Sequence, residues 1–222
     1  MCDRYIGERA TGVLCQDCLC ALPRTEQALH RENSTEMCLW GTAHSSAEAQ
    51  KNMHLVRAAA FLYYDKDHPV RHLIHRMKYA EMPEVGYQLG RQAALEFGYT
   101  DFFDGIDLII PMPLHPKRLR ERGYNQSEWI ARGISEVTGI PIDTTHVTRV
   151  KDTPQQALQS GEGRKTNMQN AFGVNNPGQL YHKHLLLVDD LITTGETAKA
   201  CMQAMKLFRG AKISVFALCK AR

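Results

Sequence analysis

Apolar and polar positions along the chain fall into an alternation of short buried runs and amphipathic stretches. Leu185 to Val188 is a continuous apolar run bounded by polar residues, which predicts a buried strand over 184–189. Ala198, Cys201, Met202, Met205 and Phe208 then recur at helical spacing and predict a helix over 196–208, followed by a strand over 212–219. Upstream, Ala58 to Tyr64 reads as a strand. Val70, Leu73, Ile74 and Met77 form an i, i+3, i+4, i+7 stripe that predicts a helix over 69–79. A second helix is expected from Glu84 to Phe97, and a buried strand from Asp107 to Met112, stopped by Pro113. A helix from Gln126 to Val137 would turn Trp129, Ile130, Ile134 and Val137 inward, and Thr145 to Val150 reads as a further strand. Residues 151–172 are polar and weakly patterned, the pattern of a mobile segment over a site. Strands alternating with helices predict an α/β protein with a parallel sheet.

Two places in this pattern carry chemistry. Asp189 and Asp190 sit where the 184–189 strand ends, and Thr193, Thr194, Gly195, Glu196 and Thr197 lead into the next helix. Ligands of open α/β sheets bind at the carboxyl ends of strands. A turn of this kind aims backbone N–H groups and hydroxyls at one phosphate, with the helix dipole adding attraction. The acids suit a group rich in hydroxyls or one that holds a metal, and a phosphorylated sugar satisfies both halves. The competing reading is an ordinary strand–turn–helix with Thr193 or Thr194 as N-cap and solvated acids.

The second place is Pro111-Met112-Pro113-Leu114-His115-Pro116 followed by Lys117, Arg118, Arg120 and Arg122, four cations within six residues, and then Gly123-Tyr124-Asn125-Gln126. Asn125 with Glu128 predicts a capping box for the following helix. The cations are either a solvated run or the partners of an anionic ligand.

The Asp-Asp-x-x-Thr-Thr-Gly-x-Thr segment resembles the phosphoribosyl-diphosphate (PRPP) motif of type I phosphoribosyltransferases. The Pro-x-Pro-Leu-His…Arg-Gly-Tyr-Asn-Gln stretch is similar to the loop of the ComF family of competence-associated proteins. Gln156 and Gln159 with Arg164, Asn167, Ala171 and Phe172 supply a third match, so the resemblance runs from about position 55 to the C-terminus. It implies a type I phosphoribosyltransferase-like parallel sheet flanked by helices. Asp189 and Asp190 would hold the ribose, and Thr193, Thr194, Gly195, Glu196 (through its backbone) and Thr197 the 5′-phosphate. Lys117, Arg118, Arg120 and Arg122 would face the diphosphate with Mg²⁺, and Arg164 would act from the segment over the site. It leaves two functions open: phosphoribosyl transfer to a nitrogen nucleophile, or single-stranded DNA handling in natural transformation without turnover, alongside competence proteins. In the second, Tyr124 or Trp40 would serve as a stacking platform. A PRPP-sensing regulator is a weaker third, since no helix-turn-helix is evident.

Composition adds limits. The 222 residues are 43% apolar and 23% charged, enough for a core without staples, and a net charge of +3 favours no class of partner. No apolar run approaches a membrane span and no signal-peptide pattern opens the chain, so a cytoplasmic location is expected. Five of the seven cysteines precede position 39, at 2, 15, 18, 20 and 38. Residues 1–45 are therefore expected to form a small cysteine-rich arm, which the ComF resemblance implies to be zinc-ribbon-like, whether complete or incomplete, beside a domain over 55–222. Cys15-x-x-Cys18 has the spacing of half a zinc site. The ComF resemblance implies two such pairs, of which Cys2 would be one member, with its partner preceding Met1. Cys20, His30 and Cys38 are the other candidates for a fourth ligand. Cys201 and Cys219 read as small core residues.

Overall fold

The computed structural model describes residues 14–40, 54–79, 82–151 and 170–222. Its centre is a four-stranded parallel sheet in the order β1 (Leu55–Tyr64), β6 (Lys212–Ala221), β5 (His184–Ile192), β2 (Leu108–Pro111). A parallel bridge from Ile109 to Ile142 extends the sheet one position beyond β2. The α/β class expected from the sequence is present.

Each strand carries apolar side chains on both faces, and helices cover both. On one face lie α3 (Val70–Tyr79), α4 (Glu84–Phe97) and α6 (Gln126–Thr138). They bury Met77, Leu89, Phe97, Ile130 and Ile134 against Phe61, Leu186, Val188 and Phe216. On the other lie α2 (Ser34–Trp40), α7 (Glu196–Met205) and a short antiparallel pair, β3 (Val147–Arg149) with β4 (Phe172–Val174). They bury Leu39, Cys201, Met202, Val147 and Phe172 against Ala58, Leu185, Leu187 and Val215. The alternation of Leu185 and Leu187 with Leu186 and Val188 is the pleat of a strand covered on both sides. Gly133 lets α6 lie directly on α4, because a Cβ there would stand 2.1 Å from Tyr87 O.

After β2 the chain runs outward through α5 (Pro116–Arg122) and α6 to the Ile142 bridge, whereas after β5 it turns the other way through α7 to β6. The order therefore reverses between β2 and β5, which is where a doubly wound sheet opens its ligand crevice.

Residues 14–40 lie along the edge of β1. Thr25 N donates to Phe61 O at 3.0 Å and Tyr63 N to Pro23 O at 2.8 Å. Beyond that bridge, side chains replace a strand: Gln27 Oε1 accepts from Ala60 N at 3.1 Å and Glu36 Oε1 from Ala58 N at 3.0 Å. A sheet edge closed by buried polar side chains leaves no apolar periodicity to read. The short helix α1 (Gln16–Cys20) precedes this segment.

Several expectations are corrected. β5 continues to Ile192, pairing with Lys220, so the acids lie within the strand and not past its end. The Lys117–Arg122 run is a helix, with His115 at its N-cap and Gly123 at φ 81° closing it. Trp129 is half-buried beneath the Arg132 guanidinium, 5.0 Å from its ring, because the buried arc of α6 runs through Ile130, Ala131 and Ile134 instead. β4 begins at Phe172, the last residue of the 151–172 segment, and continues into residues for which no element is expected. The expected mobile segment falls almost wholly on residues 152–169, outside the described residues.

Candidate phosphate and sugar site

The turn after β5 is held from both sides. Thr193 O accepts from the Lys220 ammonium at 3.1 Å and from the Cys38 thiol at 3.6 Å. Gly195 stands at the N-cap of α7 with φ 75°, a left-handed conformation that favours glycine. A Cβ at Gly195 would meet Leu39 Cδ2 at 3.0 Å and Cys38 Sγ at 3.2 Å, so α2 is packed directly under the turn. No side chain caps α7, and Thr193 and Thr194 are exposed. The N-cap reading of these threonines is thereby replaced: their hydroxyls are not spent on the helix. The first-turn N–H groups of α7 have no intrahelical partner, as at every helix start.

Asp189 and Asp190 are buried next to this turn. As neighbours in a strand they leave the sheet on opposite faces. Burial and then Asp190 push the Asp189 carboxyl up to about 7, against weaker pulls from the Asp190 backbone, Lys78 and Arg149. Its charge raises the Cys201 thiol on the α7 face, whereas Asp190 raises that of Cys219, in both cases after burial. Asp190 Oδ2 lies 3.1 Å from Lys78 Nζ. That contact is an ion pair by distance, yet its angles leave Oδ2 without a directed hydrogen bond among the described residues. Burial opposes the charge on Lys78, but Asp190 and Asp189 outweigh it and raise its pKa.

Lys78 is the site residue that the sequence reading passed over. The signal was there: at i+8 from Val70 and i+4 from Ile74 it continues the apolar stripe of α3 as a lysine. Its neighbours reach the second motif. Tyr124 donates its hydroxyl to Met77 O at 2.5 Å, and the Arg122 guanidinium lies 5.5 Å from the Tyr79 ring.

The Gly-Tyr-Asn-Gln run is structural in this arrangement. Asn125 caps α6 by accepting from Ser127 N at 3.0 Å and ties it to the end of β2 by donating to Met112 O at 3.1 Å. Glu128 does not complete the expected box; it accepts from Arg132 at 2.6 Å. Gln126 accepts from Arg122. Tyr124 is tied to α3 through its hydroxyl. Lys117 and Arg120 are exposed on α5, with Arg118 half-buried.

No family model matches the chain. Competence protein F of Haemophilus influenzae is 34% identical over 157 residues, 69% of each chain. The DNA utilization protein YhgH of Shigella flexneri is 33% identical over 155 residues, 68% of this chain and 67% of its own. The chain belongs to the ComF family. The bifunctional protein PyrR of Latilactobacillus sakei is 32% identical over 103 residues, 45% of this chain and 54% of its own. A hypoxanthine phosphoribosyl transferase from Trypanosoma cruzi aligns over 64% of this chain and 74% of its own at 10% identity and a TM-score of 0.34, a likeness too slight to bear weight.

In this ComF protein the two motifs meet through α3, while Arg164 and Cys2 lie outside the described residues. Cys15 stands at the N-cap of α1 and Cys18 one turn on. Cys38 serves the Thr193 turn, far from that pair in sequence. Among the described residues no group of three or more His, Cys, Asp and Glu side chains is placed to hold a metal ion. Nor, among them, is any helix long and apolar enough to cross a membrane.

Proposed function

We infer that this ComF protein binds PRPP at the carboxyl ends of β5 and β2 and transfers its phosphoribosyl group to a nitrogen nucleophile. The observation that carries the reading is the turn from Thr193 to Thr197. Thr193 and Thr194 are exposed and do not cap the helix, Gly195 is left-handed, and two buried acids precede the turn in the strand beside the crevice. The turn and the N-terminus of α7 take the 5′-phosphate through N–H groups and hydroxyls. Asp189 and Asp190 take the ribose hydroxyls and favour the positive character that develops at C1 as its bond to the diphosphate oxygen breaks. The diphosphate leaves with the electron pair, the nitrogen forms the new bond to C1, and the nitrogen's proton is released. Lys117, Arg118 and Arg120 of α5 serve the departing diphosphate, Arg122 braces their helix against Gln126 and the Tyr79 ring, and Arg164 is a further candidate.

Mg²⁺ is taken chiefly through substrate phosphates and keeps several waters, a donor set that the diphosphate of PRPP would bring to this site. When bound it supplies positive charge to the departing group. For zinc, Cys2, Cys15 and Cys18 would supply three ligands and leave a fourth position open, and metal analysis of chelator-free protein tests this. Calorimetric titration of PRPP with Mg²⁺ tests the main reading. Saturable binding that disappears in Asp189→Asn/Asp190→Asn supports it, and the absence of binding by the folded wild type rejects it.

A second reading, DNA handling without turnover, draws on the names of the relatives, a competence protein and DNA utilization proteins, and on the exposure of Lys117 and Arg120. Binding of single-stranded DNA through α5 would weaken steeply with salt and vanish in Lys117→Ala/Arg120→Ala. Competence proteins would be its partners.

A further inference from the structure

Three consecutive residues at the end of α3 touch both motifs of the site. Met77 O holds the Tyr124 hydroxyl, Lys78 pairs with Asp190, and the Tyr79 ring lies under Arg122. The lysine between the two anchored residues is thus fixed in place. Its side chain is 10% exposed and that of Asp190 7%, so the pair is buried from both sides. A lysine on the apolar stripe of a helix gives up core packing, and here it reaches a motif acid instead.

The charges decide what else this acid can hold. Asp189 and Asp190 are opposed by Lys78, with Arg149 also acting on Asp189. A divalent ion bound to Asp190 would stand close to an ammonium already 3.1 Å from the same oxygen. Like charges at that range disfavour each other strongly in a buried setting. Mg²⁺ also demands near-octahedral geometry and keeps several waters, which a carboxylate already facing an ammonium does not offer.

We propose that Lys78 is the resident cation of the acid pair: it holds Asp190 in place for the ribose hydroxyls and occupies the place of a divalent ion there, so that Mg²⁺ enters only on the ligand's diphosphate. Lys78 is on this account a positioning residue. The inference rests on the phosphoribosyl reading above and refines it.

Ribose 5-phosphate is the discriminating probe, since it carries the phosphate and the hydroxyls without the diphosphate. Calorimetry with EDTA or with millimolar Mg²⁺ should give the wild type the same affinity in both. Lys78→Met should bind about tenfold more weakly in EDTA and recover with Mg²⁺, while Lys78→Arg stays independent of metal. Wild-type binding that requires Mg²⁺ overturns the proposal, as does undiminished binding by folded Lys78→Met in EDTA. The wild-type arm needs no variant, so misfolding of Lys78→Met leaves the test standing. If neither ribose 5-phosphate nor PRPP binds the wild type, the phosphoribosyl reading fails. The resident-cation claim is then judged on Mg²⁺ alone: the metal should leave the wild-type unfolding temperature unchanged and raise that of Lys78→Met or Lys78→Gln. Equal stabilisation of wild type and variant overturns it.

Discussion

Lys78 Nζ lies 3.1 Å from Asp190 Oδ2, and this pair joins the last turn of α3 to the strand that carries the acid motif. Two charges taken out of water are costly, and removing one partner leaves the other uncompensated. Lys78→Met should therefore lower the stability measured by urea unfolding by about 3–5 kcal/mol. Replacing both partners, as Lys78→Met/Asp190→Leu, should recover most of that loss. Additive losses in the double variant would show that the two groups are not coupled.

Asp189 gives the protein a characteristic dependence on pH. Its carboxyl titrates at 3.8 in its ordinary state and at about 7 in the fold, chiefly because it is buried and then because Asp190 is near. Between these values the folded chain keeps a proton that the unfolded chain has released. The contribution of this group to stability is thus greatest in acid and falls as pH rises from about 4 to about 7. Asp189→Asn does not titrate. Its stability advantage over the wild type should grow across that window and level off above it, reaching on the order of a few kcal/mol. Urea curves for both proteins at three pH values decide the matter, and a constant gap would mean that Asp189 titrates normally.

How far the sequence could be read depended on what holds each element in place. The run from Leu185 to Val188 and the stripe through Ala198, Cys201, Met202 and Met205 are set by core packing, so their periodicity was legible. Phe208 kept the pattern alive past Met205, where the helix stops, because it is buried from the following turn. α5 buries no residue and so has no stripe to show. The edge of β1 is closed by Gln27 and Glu36, polar residues whose burial no hydrophobic pattern announces. Lys78 was hidden for the opposite reason: it sits on a readable stripe, but as the residue type that such a stripe excludes.

Glu36 tests the edge closure directly. Its carboxylate accepts from Ala58 N at 3.0 Å and from Glu32 N at 2.6 Å, and the residue is 1% exposed. Glu36→Ala removes both acceptors, at a cost of about 1–3 kcal/mol for each orphaned donor. Amide exchange at Ala58 should accelerate far more than at Val188 in the sheet centre. Unchanged protection at Ala58 would show that the edge is held by other interactions.

Gly195 couples the N-terminal segment to the phosphate turn. Any larger residue must adopt φ 75° and displace Leu39 and Cys38. Gly195→Val should cost about 1–3 kcal/mol from backbone strain alone and abolish binding of ribose 5-phosphate. A variant that binds normally would place the phosphate elsewhere.

If the ligand is PRPP, the cations of α5 would meet only its diphosphate. Arg122 is engaged with Gln126 and the Tyr79 ring, so it belongs to the framework of the site. Lys117, Arg118 and Arg120 share its helix, which starts directly after the β2 end of the crevice. Replacing these three with alanine should weaken PRPP binding by roughly tenfold for each cation that meets the diphosphate, and leave ribose 5-phosphate binding within about twofold. The reason is that only PRPP presents a diphosphate on that side. Parallel titrations of the two ligands read out the difference. Equal weakening for both would mean that α5 acts through the fold rather than on the diphosphate. Intact PRPP binding with abolished affinity for single-stranded DNA would assign the helix to a nucleic-acid partner instead.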